Sequence, residues 1–297
     1  MNKPKLSIVV ISYNMTRELP RTLFTLRHPY QKNIDNNDIE ILVVDNGSSE
    51  PAVISEDWHN VQYLNFQNPT HSPVAAINYG LARAKAELVG VMIDGARMAS
   101  PNLLNYAILA NKLNDRSVIS SMAYHLGAEA QMQSVLKGYN QLEEDKLLAS
   151  VPWQTDGYRL FDISVFAGSS SQGWFGATAE SNALFMPTTL WHELGGFETK
   201  FQTPGGGLAN LDTYLRATEL PNSLYVKLIG EGTFHQIHGG IATNQRREDA
   251  SGQIFAEEYQ KIRNKPFKRP TREALLFGQV NPHHKKLLLE SISKRFT

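Results

Sequence analysis

The chain has 297 residues, which allows one large α/β domain or two small ones with ample core. Its 29 Lys and Arg balance 29 Asp and Glu, so no global field argues for nucleic acid as a partner. The absence of Cys excludes disulfides, thiolate catalysis and thiolate metal sites together.

In chain order, the apolar run Ser7–Ile11 reads as a buried strand that empties into Ser12-Tyr13-Asn14. Residues 16–27 are predicted helical: Leu19, Leu23 and Leu26 share a face, Thr16 is the candidate N-cap, and Pro20 falls near the first turn. A second strand, Ile39–Val44, runs into Asp45-Asn46-Gly47-Ser48, and Val61–Asn65 is a short third. Ala and Leu at helical spacing cover Pro73–Ala86. The strand Val89–Ile93 then ends on Asp94-Gly95-Ala96-Arg97, and Pro101–Leu113 is the next helix. Such alternation predicts a parallel, right-handed α/β sheet over about the first 110 residues. Three of its strands end in polar turns at the same edge. A carboxylate released there and followed by Gly is well placed to meet a nucleotide.

Beyond residue 110 the pattern changes. Gln131–Leu148 is polar and predicted helical. Ser169–Gly176 reads as a flexible loop that exposes two aromatics, Trp174 and Phe175. Ala183–Pro187 is a short strand followed by a helix ending at Gly195-Gly196. Pro204-Gly205-Gly206-Gly207 is a mobile turn before a helix through Asp212 and Arg216. From Lys261 to Thr297 ten Lys and Arg face two acids, Glu273 and Glu290, so a neutral chain carries a tail of net charge +8. Its apolar triplets, Leu275-Leu276-Phe277 and Leu287-Leu288-Leu289, suggest short amphipathic helices. These either pack on the domain or meet an anionic membrane surface. No stretch approaches the roughly 20 apolar residues that span a bilayer. The first apolar run is too short and too β-branched for a signal peptide. The expectation is a soluble, cytoplasmic protein, with the inner membrane face as a candidate peripheral location.

Several motifs in sequence order resemble inverting family 2 glycosyltransferases. They are Ser12-Tyr13-Asn14, Leu19, Leu23 and Leu26, Val43-Val44-Asp45-Asn46-Gly47-Ser48, Ala76-Ile77-Asn78-Tyr79-Gly80-Leu81, and Asp94 with Pro101 seven residues on. Later, Leu194-Gly195-Gly196-Phe197-Glu198 and Asp212-Thr213-Tyr214-Leu215-Arg216-Ala217 are similar to that family's acceptor-side segments. The resemblance covers roughly residues 5 to 240. It implies a GT-A-like (Rossmann-like), mostly parallel sheet flanked by helices, followed by a C-terminal helical extension. The implied domains are a transferase unit at 1–245 and a basic extension at 246–297. Within the former, about 1–110 would bind nucleotide-sugar and about 111–245 the acceptor. The implied activity moves a sugar from a UDP-, GDP- or dTDP-linked donor to a saccharide or lipid-linked acceptor in bacterial surface polysaccharide assembly.

Carried onto these positions, Ser12, Tyr13, Asn14, Asp45, Asn46, Asp94, Gly95 and Arg97 would line the donor site. Asp45 would accept from the base or ribose, although Asp-Asn-Gly-Ser is also ordinary turn chemistry. Asp94 stands first in the family's Asp-x-Asp signature, which holds Mn²⁺ or Mg²⁺ on the diphosphate. Ala96 replaces the second carboxylate. Two alternatives follow: Asp94 keeps a weakly held ion with help from His238, or Arg97 neutralises the diphosphate directly. His235 and His238, three apart, resemble a metal pair, and the two glycines after them allow close approach to phosphate. An inverting transfer needs a carboxylate base. The family's Glu-Asp pair reads Ala209-Asn210 here, and an amide is not basic. Asp212 and, second, Glu180 are the candidate catalytic bases, with Asp212 also a natural partner for Arg216 at i, i+4. Trp174 and Phe175 are candidates to stack on the acceptor, or else anchors for their loop. Because Ala96 and Asn210 remove expected carboxylates, the alternative function is a non-catalytic nucleotide-sugar-binding relative. A nucleotidyltransferase would want a Gly-rich, cationic loop after the first strand, and Ser12–Thr16 offers none.

Overall fold

A computed structural model describes residues 3–239 and 251–296. The first apolar run forms β1 (Leu6–Ser12), buried along its whole length. Helices cover both faces of the sheet, so no solvent side imposes an alternating pattern on that strand. In α1 (Glu18–Thr25), Leu19 and Leu23 enter the core as their spacing requires. Thr16 does not cap this helix: Arg17 is its N-cap residue and makes no side-chain capping bond. Next come β2 (Ile39–Asp45), β3 (Val61–Asn65), α2 (Val74–Leu81) and β4 (Leu88–Met92), with all four strands parallel. The register sets Ser12 beside Asp45 and Val10 beside Met92. The polar turns that follow these strands therefore leave the sheet at one edge.

The second half builds outward from that unit. β5 (Arg97–Ala99) and α3 (Leu103–Asn111) lead into β6 (Ser117–Leu126). The predicted helix 131–148 is two helices, α4 (Gln131–Ser134) and α5 (Gln141–Ala149), broken where Gly138 takes φ 94°. β7 (Ser164–Phe166), β8 (Ala183–Pro187), α6 (Thr188–Leu194), α7 (Ala209–Thr218) and β9 (Leu224–His235) follow. α6 ends on left-handed Gly195, as expected of a glycine past a helix terminus. Among the described residues the sheet has ten strands; with β10 (Leu275–Gly278) at one end, the main order is β10-β9-β6-β8-β4-β1-β2-β3. It is mixed: β8 is antiparallel to β4 and to β6, while β9 is parallel to β6. β6 and β9 therefore end at the same edge as β4, with His125 and His235 in register.

The C-terminal residues continue this sheet and core. α8 (Ser251–Arg263) sends Tyr259 against Phe201 and Phe267. Leu275-Leu276-Phe277 is not helical but belongs to β10 (Leu275–Gly278), which pairs in parallel with β9. α9 (Lys285–Phe296) does contain the second triplet, and Leu287 is fully buried. The boundary expected at 245/246 and the glycine Gly240 lie outside the described residues. No helix among those described is long and apolar enough to cross a membrane.

Two site expectations change with this packing. Trp174 is fully buried and its Nε1 donates to Tyr124 Oη at 2.9 Å, so it anchors its loop and faces no acceptor. Phe175 beside it is half-buried. Asp212 is 1% exposed and engaged on both oxygens. Arg216 Nε donates to Oδ2 at 2.8 Å, and Arg263 donates to Oδ1 at 2.6 Å and Oδ2 at 2.7 Å. Arg216 also donates to Leu194 O and Gly196 O. Asp212 thus clamps α7 to α8 and to the end of α6, a structural role that argues against it as the base. Removing the charge from such a clamp leaves Arg216 without a carboxylate and Arg263 with Glu198 alone, at 3.3 Å. Because both arginines are about one-quarter exposed, Asp212→Asn should cost about 1–3 kcal/mol, less than breaking a wholly buried pair. Denaturant unfolding checks this, and unchanged stability would contradict the structural role.

Candidate active site

The first two polar turns hold each other. Asn14, in the left-handed region at φ 51°, donates its backbone N–H to Ser48 Oγ. Its Oδ1 accepts from Ser49 N and Glu50 N. Asp45 is 3% exposed. It accepts from Gly47 N, Ser48 N, Ser48 Oγ and Tyr63 Oη at 2.6–2.9 Å. Those four bonds use the acceptor capacity of its carboxylate. Asp45 therefore builds the turn, and a bond to a base or ribose would have to displace the Ser48 or Tyr63 hydroxyl. Asn46, also buried, ties the turn to Thr70 O at 2.8 Å. Ser12 is buried, whereas Tyr13 is 56% exposed and presents its ring at the edge.

The third turn carries the candidate residues Asp94, Gly95 and Arg97. Asp94 Oδ1 accepts from Ala96 N at 3.0 Å, and Oδ2 accepts from Arg97 Nε at 2.9 Å. A Cβ at Gly95 would fit only tightly, 3.0 Å from Leu19 Cδ1 and 3.2 Å from Ile11 O. Thr22 Oγ1 donates to Gly95 O at 2.7 Å, so α1 fixes the turn from below. Arg97 opens β5 and pairs antiparallel with His235, the last residue of β9. This pairing brings Asp94, His235 and His238 together, with one ligand atom from each lying within 4.8 Å of the others.

One of the imidazoles is oriented for that role. His235 Nδ1 donates to Gln131 Oε1, leaving a lone pair on Nε2, which lies 3.1 Å from His238 Nε2. Gln131 N also donates to His125 Nδ1 at 2.8 Å, so that nitrogen is an acceptor and His125 points no lone pair from it to a cation. Burial, then the Arg97 charge, pushes His125 down to about 3 and His235 well below its ordinary value. His238 is lowered chiefly by burial. All three are neutral at physiological pH, the form that binds metal. The segment between the two candidate ligands is itself clamped. Ile237 N donates to Glu144 Oε2 at 2.7 Å, and Ile237 O accepts from Arg17 Nη1 at 3.3 Å. Burial raises the Glu144 carboxyl to about 7, against the opposing pull of Ile237 N–H and Arg17.

One carboxylate approaches from the opposite strand direction. β8 begins with Ala183 in register with Met92. Glu180, three residues earlier, therefore enters at the edge where Asp94 lies two residues past Met92. Asn210 Nδ2, in the first turn of α7, donates to Glu180 Oε2 at 2.6 Å and to Ser181 O at 3.2 Å. No other hydrogen bond occupies Glu180 among the described residues. The position that lacks its expected acid thus holds one from another segment. Sequence reading singled out Asp94, Arg97, His235, His238 and Glu180, which the fold brings to one edge. It missed Gln131, His125, Arg17 and Glu144.

Among curated protein sequences none matches the chain. Among solved structures, S. aureus TarS 1–349 in complex with UDP aligns with TM-score 0.54 at 15% identity, over 98% of this chain and 72% of that one. The same protein in complex with UDP-GlcNAc gives 0.52 at 15%, with the same coverage. A longer S. aureus TarS structure gives 0.53 at 15%, over 99% of this chain and only 44% of that one. At such identity the likeness speaks for the fold alone, which is GT-A-like. The sequence pattern of glycosyl transferase family 2 matches residues 7–167, and as this is more than half of the chain, the protein belongs to that family.

Proposed function

We propose that the protein moves a sugar from a nucleotide-sugar donor to a hydroxyl of a saccharide or glycolipid acceptor, with inversion at the anomeric carbon. The observation that carries this reading is the grouping of Asp94, His235 and His238 at the sheet edge where Glu180 also arrives. UDP is the favoured donor nucleotide, because structures sharing the fold are complexes with UDP and UDP-GlcNAc. Bacterial surface polysaccharide assembly is the setting that the family resemblance suggests.

The exposed Tyr13 ring offers a stacking surface for the base. One carboxylate and two neutral imidazoles fit Mn²⁺ better than Mg²⁺, which prefers an all-oxygen shell. Bound there, a divalent cation would neutralise charge on the leaving diphosphate. Arg97 adds a permanent positive charge, and its guanidinium can donate to phosphate oxygens when Asp94 turns away from it. In this reading Glu180 takes the acceptor's proton as the acceptor oxygen attacks the anomeric carbon and the nucleoside diphosphate departs. Asn210 fixes Oε2, leaving Oε1 for that proton. The basic residues of the C-terminal stretch support weak, salt-sensitive contact with an anionic membrane, at about 1 kcal/mol each near the surface.

Two measurements check this reading. Glu180→Gln should lower turnover of the UDP-sugar by roughly 10²–10⁴-fold while leaving UDP affinity nearly unchanged. Near-normal turnover in that folded variant would remove Glu180 from the base role. Calorimetry with UDP and Mn²⁺ should show affinity falling at least about tenfold in Asp94→Ala, as expected for loss of a ligand. Unchanged affinity would sink the cation assignment. Binding without turnover across UDP-, GDP- and dTDP-sugars would favour a non-catalytic nucleotide-sugar-binding protein instead.

A further inference from the structure

A cavity of about 560 Å³ opens between β9, β10, α9 and the segment 174–178. That volume falls within the range of small-molecule sites, roughly 300–1,000 Å³. Lys227, in the first half of β9, reaches its wall from between Ser120 of β6 and Leu276 of β10. His235 lies eight residues further along the strand, roughly 25 Å at ordinary strand rise, so this cavity is separate from the proposed transfer site.

The chemistry of the wall is unbalanced. Lys227 is 4% exposed, and no carboxylate forms an ion pair with it among the described residues. Its Nζ donates instead to Gly176 O at 2.5 Å and Trp174 O at 3.5 Å. A buried ammonium satisfied only by carbonyl dipoles keeps its charge uncompensated. Burial, then the nearby Arg295 charge, pushes it down to about 8. Arg272 also lines the cavity, and its Nη1 is held by Thr218 O and Ser223 Oγ rather than by an acid. Arg295 meets Glu273 at 3.5 Å, but that carboxylate is 88% exposed and solvated. Three cations therefore face one acid in water. The mouth is apolar: Leu276 and Ile292 both line it and remain about 40% exposed.

We propose that this cavity binds an amphiphilic anion, a phosphate or carboxylate head held by Lys227 and Arg295 with a single alkyl chain lying over Leu276 and Ile292. An anionic head would supply the counter-charge that the fold omits, and the chain would cover the exposed apolar rim. Calorimetry of the full chain with decyl phosphate, kept below micelle formation, tests this, with inorganic phosphate and the uncharged decyl maltoside as comparisons. One-to-one binding of decyl phosphate, tighter than either comparison, is expected. Lys227→Met should weaken it by roughly tenfold or more, as loss of a charge-assisted bond does. Arg295→Glu, a change at an exposed position, should weaken it in the same direction and guards against misfolding of the buried variant. Lys227-dependent binding to phosphatidylglycerol vesicles would make the ligand a membrane lipid. Binding of decyl phosphate without vesicle binding would make it a dispersed amphiphile. Absence of decyl phosphate binding, or wild-type affinity in both variants, would overturn the proposal.

Discussion

Strand β9 is the constraint on which the rest of the site depends. It pairs with β6 along one side, with β10 near its start, and with β5 at its end. Because β6 and β9 run parallel to β4 across the intervening antiparallel β8, their last residues return to the edge where the turns after β1, β2 and β4 leave the sheet. The β5 pairing then fixes Arg97 against His235 and closes the gap between Asp94 and the imidazoles. Without that short antiparallel contact, Asp94 and His235 would belong to neighbouring but unrelated ends of the sheet.

The electrostatics of the edge explain how the chain can lack two expected acids. Where a second carboxylate would stand there is buried Ala96, and beside it Arg97 forms an ion pair with Asp94 at 2.9 Å. A cation at this site must compete with Arg97 for one oxygen, which makes its hold weaker than a two-carboxylate site would give. The imidazoles compensate in part, being kept neutral by burial and by the same Arg97 charge. On the acceptor side, Asn210 is no base but is a good donor, and it holds Glu180 in its place. Both departures from the family pattern are thus local exchanges of partner, consistent with an active protein.

Much of this was legible in the sequence where local pattern decides. Continuous apolar runs ending in polar turns located β1, β2 and β4, and with them Asp94 and the edge that carries it. What stayed hidden was decided by partners far along the chain. The i, i+4 pairing of Asp212 with Arg216 was visible, but Arg263, 51 residues on, is what closes the clamp. Trp174 looked exposed because its hydrogen-bond partner, Tyr124, lies 50 residues upstream. β6 and β9 escaped notice because a strand buried on both faces shows no alternation. Ser117, Ser120, Ser121, Lys227 and Glu231 gave them a polar cast as well. Asp45 shows a different limit: the turn reading and the ligand reading share one motif, and its four bonds establish the turn.

The most direct test is a crystal grown with UDP and Mn²⁺, measured at a wavelength where manganese scatters anomalously. The account predicts a single manganese peak bounded by Asp94, His235 and His238, with the diphosphate against it and Arg97, and the Glu180 carboxylate facing the open side of the site. A diphosphate held by Arg97 with no manganese at those three residues, or a nucleotide bound away from this edge, would contradict it.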